Sequence, residues 1–295
     1  MKISIIGAGN VGAMIASRVI DADLADVVLL DIVPGMAKGK ALDISDARPV
    51  FGSCVRITGT EDFKDMEGSS IVVITAGLAR KPGMSRDDLL KKNSEIIKSV
   101  SSHVKKYSPS AIVIVVTNPL DAMSYLVMKT TGFDPGKVIG MAGVLDTARF
   151  VNIIRERNRN VNPDDVLMMG SHGDTMVPVN RSKSISEETF SEAAELARNR
   201  GAEIVKHLGT GSAYFAPSAS VFFMLKAIIK DEKRAMCASA YLEGQYGEKD
   251  VYIGVPVVLG SSGIEKITEI ELTPKENQAF KESSRQIREG INKIL

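Results

Sequence analysis

The chain has 295 residues, 44% of them hydrophobic and 25% charged, with a formal net charge of +1. This is the make-up of a globular protein with room for about two domains. The near-neutral balance gives no electrostatic reason to expect nucleic acid or an anionic membrane surface as a partner, so any charge that binds a substrate has to be local. No apolar stretch approaches the length of a membrane span. The cysteines, Cys54 and Cys237, and the histidines, His103, His172 and His207, are too scattered to form a metal motif. No metal is expected, and two free thiols point to a reducing, cytoplasmic setting.

Residues 2–6 form an apolar run that could imitate a signal peptide, but three glycines and Asn10 break it, and it reads as a first strand. Further continuously apolar, β-branched runs at 27–30, 55–58, 71–74, 111–116 and 137–140 predict strands buried on both faces. Helical patterns at 10–21, 36–47, 86–107 and 119–130 alternate with them. Strand–helix alternation implies right-handed βαβ units and a parallel sheet, and six strands suit a doubly wound (Rossmann) α/β domain. After residue 141 the pattern changes. A helix is predicted at 146–159, short strands at 166–170 and 177–179, and helices at 187–207 and 216–230. Extended runs follow at 235–243, 251–259 and 264–270, then a last helix from Pro274, with Thr273 as N-cap and Glu276 completing a capping box. The expected organisation is a Rossmann domain over residues 1–141 and an α+β substrate domain over 142–295.

The first strand runs into Gly7-Ala8-Gly9-Asn10-Val11-Gly12, which opens the first helix. Gly7 permits the tight turn, Gly9 lets the backbone approach a pyrophosphate, and Gly12 lets helix pack on strand. The helix N-terminus then offers N–H groups and a positive dipole to phosphate oxygens. Asp31 ends the second strand at the roughly 20-residue spacing of the dinucleotide fingerprint. Its carboxylate would accept from a ribose diol and repel a 2′-phosphate, and no Arg follows it, so NAD is favoured over NADP.

Four other segments place polar groups at strand ends or in loops. Thr117-Asn118-Pro119 follows the fifth strand, whose carboxyl end faces the ligand crevice; it also suits a simple helix entry. The loop 76–86 follows the fourth strand, carries Gly77 and Gly83 as hinge candidates, and gathers Arg80, Lys81 and Arg86. That is the composition of a lid over an anion or of a solvated basic loop. Asp146 and Arg149 share a helix face at i, i+3. His172 lies in Gly170-Ser171-His172-Gly173-Asp174, where a Gly-flanked imidazole can reach a ligand and titrates near neutral pH.

In this order and combination, the Gly7–Gly12 turn, Asp31, Thr117-Asn118-Pro119, Asp146 with Arg149, and the His172 run resemble the lactate/malate dehydrogenase family, and within it the lactate-dehydrogenase-like malate dehydrogenases, over essentially the whole chain. The resemblance implies reversible NAD-dependent oxidation of (S)-malate to oxaloacetate, a small dicarboxylate pair, by a homodimer or homotetramer. It implies that His172 exchanges the proton of the C2 hydroxyl and that Asp146 holds its tautomer. Arg149 would clamp the C1 carboxylate, Arg86 would stabilise charge on the C2 oxygen, and Asn118 would orient that oxygen. Gly7, Ala8, Gly9, Asn10, Val11, Gly12, Asp31, Asn93, Val116, Thr117 and Asn118 would serve the cofactor. Arg80 matches a family position that tends to be Arg for oxaloacetate and Gln for pyruvate, as a second carboxylate requires a second cation. The alternatives are a lactate or broad 2-hydroxy-acid dehydrogenase, and an NAD(H)-binding redox sensor without turnover; a pure binder has no use for the proton donor.

Overall fold

The computed structural model describes residues 1–78, 85–157, 159, 161–209 and 211–295. The first half alternates β1 (Lys2–Ile6), α1 (Asn10–Asp21), β2 (Asp26–Leu30), α2 (Met36–Phe51), β3 (Ile57–Thr60), β4 (Ile71–Ile74), α3 (Arg86–Tyr107), β5 (Ile112–Val115), α4 (Leu120–Thr131) and β6 (Val138–Gly140). These strands pair in parallel in the order β3-β2-β1-β4-β5-β6. Chain order reverses between β1 and β4, so a crevice opens at the carboxyl ends of the central strands. Ile3, Ile5, Val72, Val73, Val113 and Ile114 are fully buried, which explains why these strands read as unbroken apolar runs rather than alternating ones.

The second half comprises α5 (Gly143–Arg157), β7 (Val166–Gly170), β8 (Met176–Asn180), α6 (Glu187–Leu208), α7 (Phe215–Ile229), β9 (Arg234–Glu243), β10 (Lys249–Gly260), β11 (Gly263–Ile267) and α8 (Pro274–Asn292). Its strands extend the first-half ladder. β9 pairs antiparallel with β6 at Gly140 and Ser239, and β10, β7 and β8 continue outward, with β11 on β10. Among the described residues, the halves therefore share one eleven-stranded sheet. A smaller core of Phe150, Ile154, Val166, Met168, Ala193 and Ala197 lies between α5, α6 and β7.

The predicted elements form, with shifts at many of their ends; the last strand, for example, stops at Ile267 rather than residue 270. β3 begins at Ile57 rather than residue 55, because Asp23 Oδ1 accepts the backbone N–H groups of Cys54 (2.8 Å) and Val55 (3.1 Å) and takes them out of the ladder. α2 runs past residue 47 through Pro49 to Phe51, and Gly52 caps it in the left-handed region (φ +69°). The proline lies inside the helix, where it gives up the bond an N–H at that position would make to the Ser45 carbonyl. α5 begins at Gly143, so Asp146 lies within its first turn. Among the described residues, no helix is long and apolar enough to cross a membrane, and no His, Cys, Asp and Glu cluster could hold a metal ion.

Candidate active site

β1 delivers the chain into the crevice at Gly7, which has φ +106°. A Cβ on Gly12 would lie 1.9 Å from the Gly7 carbonyl oxygen, so α1 reaches its place against the turn only with glycine there. Thr75, just past β4, donates to the same carbonyl at 2.9 Å and ties the turn to the next strand. A Cβ on Gly9, by contrast, would meet nothing within 4 Å. Gly9 is the N-cap of α1 and no side chain caps the helix. The open space and the helix terminus therefore form a cradle for an anion.

Asp31 stands beside this cradle. Its Oδ2 accepts from the Ala8 N–H at 2.6 Å and its Oδ1 from the Val33 N–H at 3.0 Å. Each oxygen keeps a lone pair for a further donor such as a ribose hydroxyl. Lys40 of α2 donates from Nζ to the Ala8 carbonyl at 2.7 Å. The sequence offers no signal for that contact, because Lys40 reads as an ordinary polar residue on an exposed helix.

The crevice continues into a cleft of about 710 Å³. Val11, Thr75, Gly77, Val116, Thr117 and Asn118 line its Rossmann side, and Arg149, His172, Gly201, Val205, Ser212 and Pro217 its other side. The contributions of α6 and the segment before α7 carry no sequence signal, since small and aliphatic residues there resemble any packed helix. Thr117 donates to the Ala76 carbonyl at 2.7 Å. The Asn118–Pro119 peptide is cis, and Pro119 is the N-cap of α4 rather than its first helical residue. Asn93 is fully buried beneath the cleft. Its Oδ1 accepts from the Leu78 N–H at 2.8 Å and its Nδ2 donates to the Asn118 carbonyl at 2.6 Å. These bonds tie Asn93 to Leu78 and Asn118 at the edge of the cleft.

His172 lies in the turn between β7 and β8. Its Nδ1 is 2.7 Å from Asp146 Oδ2. With a carboxylate at Nδ1, the proton sits there, and Nε2 is the nitrogen left for a ligand. Burial works against a charge on the imidazole, but Asp146 more than offsets it, and the His172 pKa lies above its ordinary value; Asp121 adds to the rise and Arg149 opposes it. Arg149 is mostly buried, its Nη1 3.7 Å from Asp146 Oδ1. Burial holds its pKa below the ordinary value, against the pull of Asp146. Arg149 Nε and Asp146 Oδ1 are buried without a hydrogen-bond partner among the described residues. Buried guanidinium donors left unsatisfied are costly, and a carboxylate in the cleft would relieve that cost.

Sequence reasoning missed Asp121. It is buried in the first turn of α4, where its Oδ2 accepts the His172 backbone N–H at 3.0 Å and its Oδ1 accepts from Ser239 at 2.6 Å. Burial pushes its pKa up to about 6, against the opposing pull of these two hydrogen bonds. Arg86, the first residue of α3, is exposed and ion-paired with Asp174, and it does not line the cleft. Arg80 and most of the basic loop, residues 79–84, lie outside the described residues.

A parallel sheet of order 3-2-1-4-5-6 with a glycine turn at its switch point defines a dinucleotide-binding protein. Residues 1–140 match the family model described as the lactate/malate dehydrogenase NAD binding domain, and residues 143–295 match the lactate/malate dehydrogenase alpha/beta C-terminal domain. A malate dehydrogenase of Methanosarcina mazei is 49% identical over 100% of this chain and 99% of its own length. One from Rhodopirellula baltica is 50% identical over 96% of this chain and 93% of its own. Among solved structures, the malate dehydrogenase of Cryptosporidium parvum superposes with a TM-score of 0.94 at 39% identity, covering 99% of this chain and 98% of that one. The lactate dehydrogenase of the same organism, complexed with lactic acid and nicotinamide adenine dinucleotide, gives 0.94 at 40%, covering 99% and 97%. The chain belongs to the lactate/malate dehydrogenase family, and it is an NAD-dependent oxidoreductase.

Proposed function

We propose that this chain catalyses the reversible, NAD-dependent oxidation of (S)-malate to oxaloacetate. The observation that carries the reading is the 2.7 Å bond between His172 Nδ1 and Asp146, with Arg149 alongside, in a cleft continuous with the glycine turn. NAD, when bound, supplies the acceptor for the hydride that leaves C2. Gly9, the terminus of α1 and Asp31 fit its pyrophosphate and ribose, with Ala8, Asn10, Val11, Val116 and Thr117 along the same wall. Arg149 clamps the C1 carboxylate through paired donors that a lysine could not match. His172 Nε2 takes the proton of the C2 hydroxyl in oxidation and returns it to the ketone oxygen in reduction, while Asp146 stabilises the imidazolium that forms. Asn118 orients the C2 oxygen, and Arg86 stabilises its charge after exchanging Asp174 for substrate.

The second carboxylate is the reason for choosing malate over lactate. Relatives about half identical to this chain are malate dehydrogenases, and Arg80 is the cation we assign to the carboxylate at C4. An unpaired buried partner costs about 2–5 kcal/mol. That converts to a discrimination of roughly thirty- to several-thousand-fold against pyruvate.

Replacing His172 by Asn tests the proton role. Turnover of oxaloacetate with NADH is expected to fall by about 10²–10⁴-fold while NADH still binds, read from the nicotinamide fluorescence. Retained turnover would remove His172 from the chemistry.

We draw the functional division at residues 1–141 for the cofactor and 142–295 for the substrate. We also assign a homodimer or homotetramer, because α2 exposes Leu42 (59%), Val50 (82%) and Phe51 (57%). Light scattering at micromolar concentration checks this, and a monomer would contradict it. The free cysteines, one exposed and one buried, suit the reducing interior of a cell and support a cytoplasmic setting.

A further inference from the structure

The turn that carries His172 is held from three sides. Asp146 of α5 holds the ring, and Asp121 of α4 holds the His172 backbone N–H. The third contact comes from the last helix of the chain: Ser283 of α8 accepts the Ser171 backbone N–H at 2.7 Å. Thr175, at the far side of the turn, bonds with Ser171 Oγ at 2.8 Å and with Ser283 Oγ at 3.3 Å, which closes a cluster of three hydroxyls under the imidazole's backbone. Gly170 enters the turn at φ +80°, and a Cβ there would lie 3.0 Å from Ser283 Oγ, so helix and turn are in close approach.

The geometry has a direct mechanical meaning. The Ser171 N–H belongs to one peptide plane and the His172 N–H to the next. Asp121 and Ser283 therefore fix two successive planes, and with them the φ and ψ of Ser171, which aim the His172 side chain. α8 is itself held at both ends. Thr273 and Glu276 form its capping box, with Arg181 bonded to the same glutamate, and Lys293 bonds both oxygens of Asp87 at 2.7 and 2.8 Å, at the start of α3.

We propose that Ser283 is a positioning residue for the reaction: it fixes the Gly170–Ser171 peptide, the plane next to the one Asp121 holds, so that Nε2 points into the cleft while Nδ1 stays on Asp146. This rests on the reading of His172 as the proton donor.

The neighbouring serine supplies a matched control. Ser283 and Ser284 are both fully buried. Ser284 donates to Glu248 at 2.7 Å, on the side of the Glu248–Arg288 ion pair, and does not touch the His172 turn. The experiment compares Ser283→Ala, Ser284→Ala and the wild type by thermal melting, NADH binding, and the single-turnover rate of NADH oxidation by oxaloacetate across pH. Small displacements of a reacting group carry large rate penalties. Ser283→Ala is expected to lower the single-turnover rate about tenfold, with NADH affinity unchanged and KM for oxaloacetate changed less than about threefold. The pH at which the rate declines is expected to shift downward, because an ill-held imidazole loses part of its contact with Asp146. Ser284→Ala is expected to melt at a lower temperature with the wild-type rate and pH profile. Equal rate losses in the two variants, or a wild-type rate and profile in Ser283→Ala, would overturn the proposal. If Ser283→Ala does not fold, Ser283→Cys keeps the side-chain shape and replaces the oxygen that accepts the Ser171 N–H by a weak acceptor; a several-fold slower step supports the proposal and an unchanged step overturns it. A wild-type protein that fails to oxidise NADH with oxaloacetate would instead overturn the proton-donor reading itself.

Discussion

At the scale of single residues, the chemistry depends on two carboxylates around one imidazole. Asp146 holds the ring and Asp121 the backbone of His172, and the imidazole binds its proton more tightly than the ordinary value of 6.5 implies. Reduction of the ketone consumes the imidazolium, and oxidation of the alcohol requires the neutral ring. The kcat/KM for oxaloacetate is therefore expected to be level below the raised pKa and to fall about tenfold per pH unit above it, with the kcat/KM for malate following the reverse course. A profile for oxaloacetate that breaks below 6.5 would contradict the assigned role of Asp146. His172, Asp146 and Arg149 were legible as candidates from their place among glycines or at helical spacing, and their roles came only with the family resemblance. Asp121 and Ser283 were not legible. Each has its decisive partner on a distant segment, and in the sequence each reads as an ordinary first-turn acid or helix serine.

At the scale of elements, the glycine turn shows how one motif serves two separate purposes. Gly12 is required by the protein itself, since a Cβ would collide with the Gly7 carbonyl at 1.9 Å. Gly9 faces space that no described residue fills. Gly12→Ala is accordingly expected to lower Tm as well as NADH affinity. Gly9→Ala is expected to keep a near wild-type Tm and to weaken NADH at least about tenfold, through steric exclusion of the pyrophosphate. Equal Tm losses in the two variants would show that Gly9 is structural. The strand and helix assignments came from period and apolar run length, which are local properties. The shifted start of β3 did not, because its cause is a carboxylate on another segment, Asp23. The capping box of α8 was readable because both of its partners lie within one turn. The function of α8 as a support for the His172 turn was not, because Ser283 and Ser171 meet only in the folded chain.

At the scale of the whole molecule, a single sheet joins the cofactor turn to the His172 turn, and the ladder between β6 and β9 sets their separation. Sequence pattern suggested two units and was silent on how they join, since the antiparallel contact at Gly140 and Ser239 depends on strands far apart in the chain. The shared fold does not select the substrate. A malate and a lactate dehydrogenase from one organism superpose on this chain with the same TM-score of 0.94. Selection has to come from side chains, and Arg80 is the one we assign to it. The most direct test measures kcat/KM for oxaloacetate and for pyruvate with NADH, in the wild type and in Arg80→Gln. The wild type is expected to prefer oxaloacetate by roughly thirty-fold or more, with the ratio moving toward pyruvate in the variant. Equal values for the two keto acids in the wild type, or a preference for pyruvate, would contradict the account.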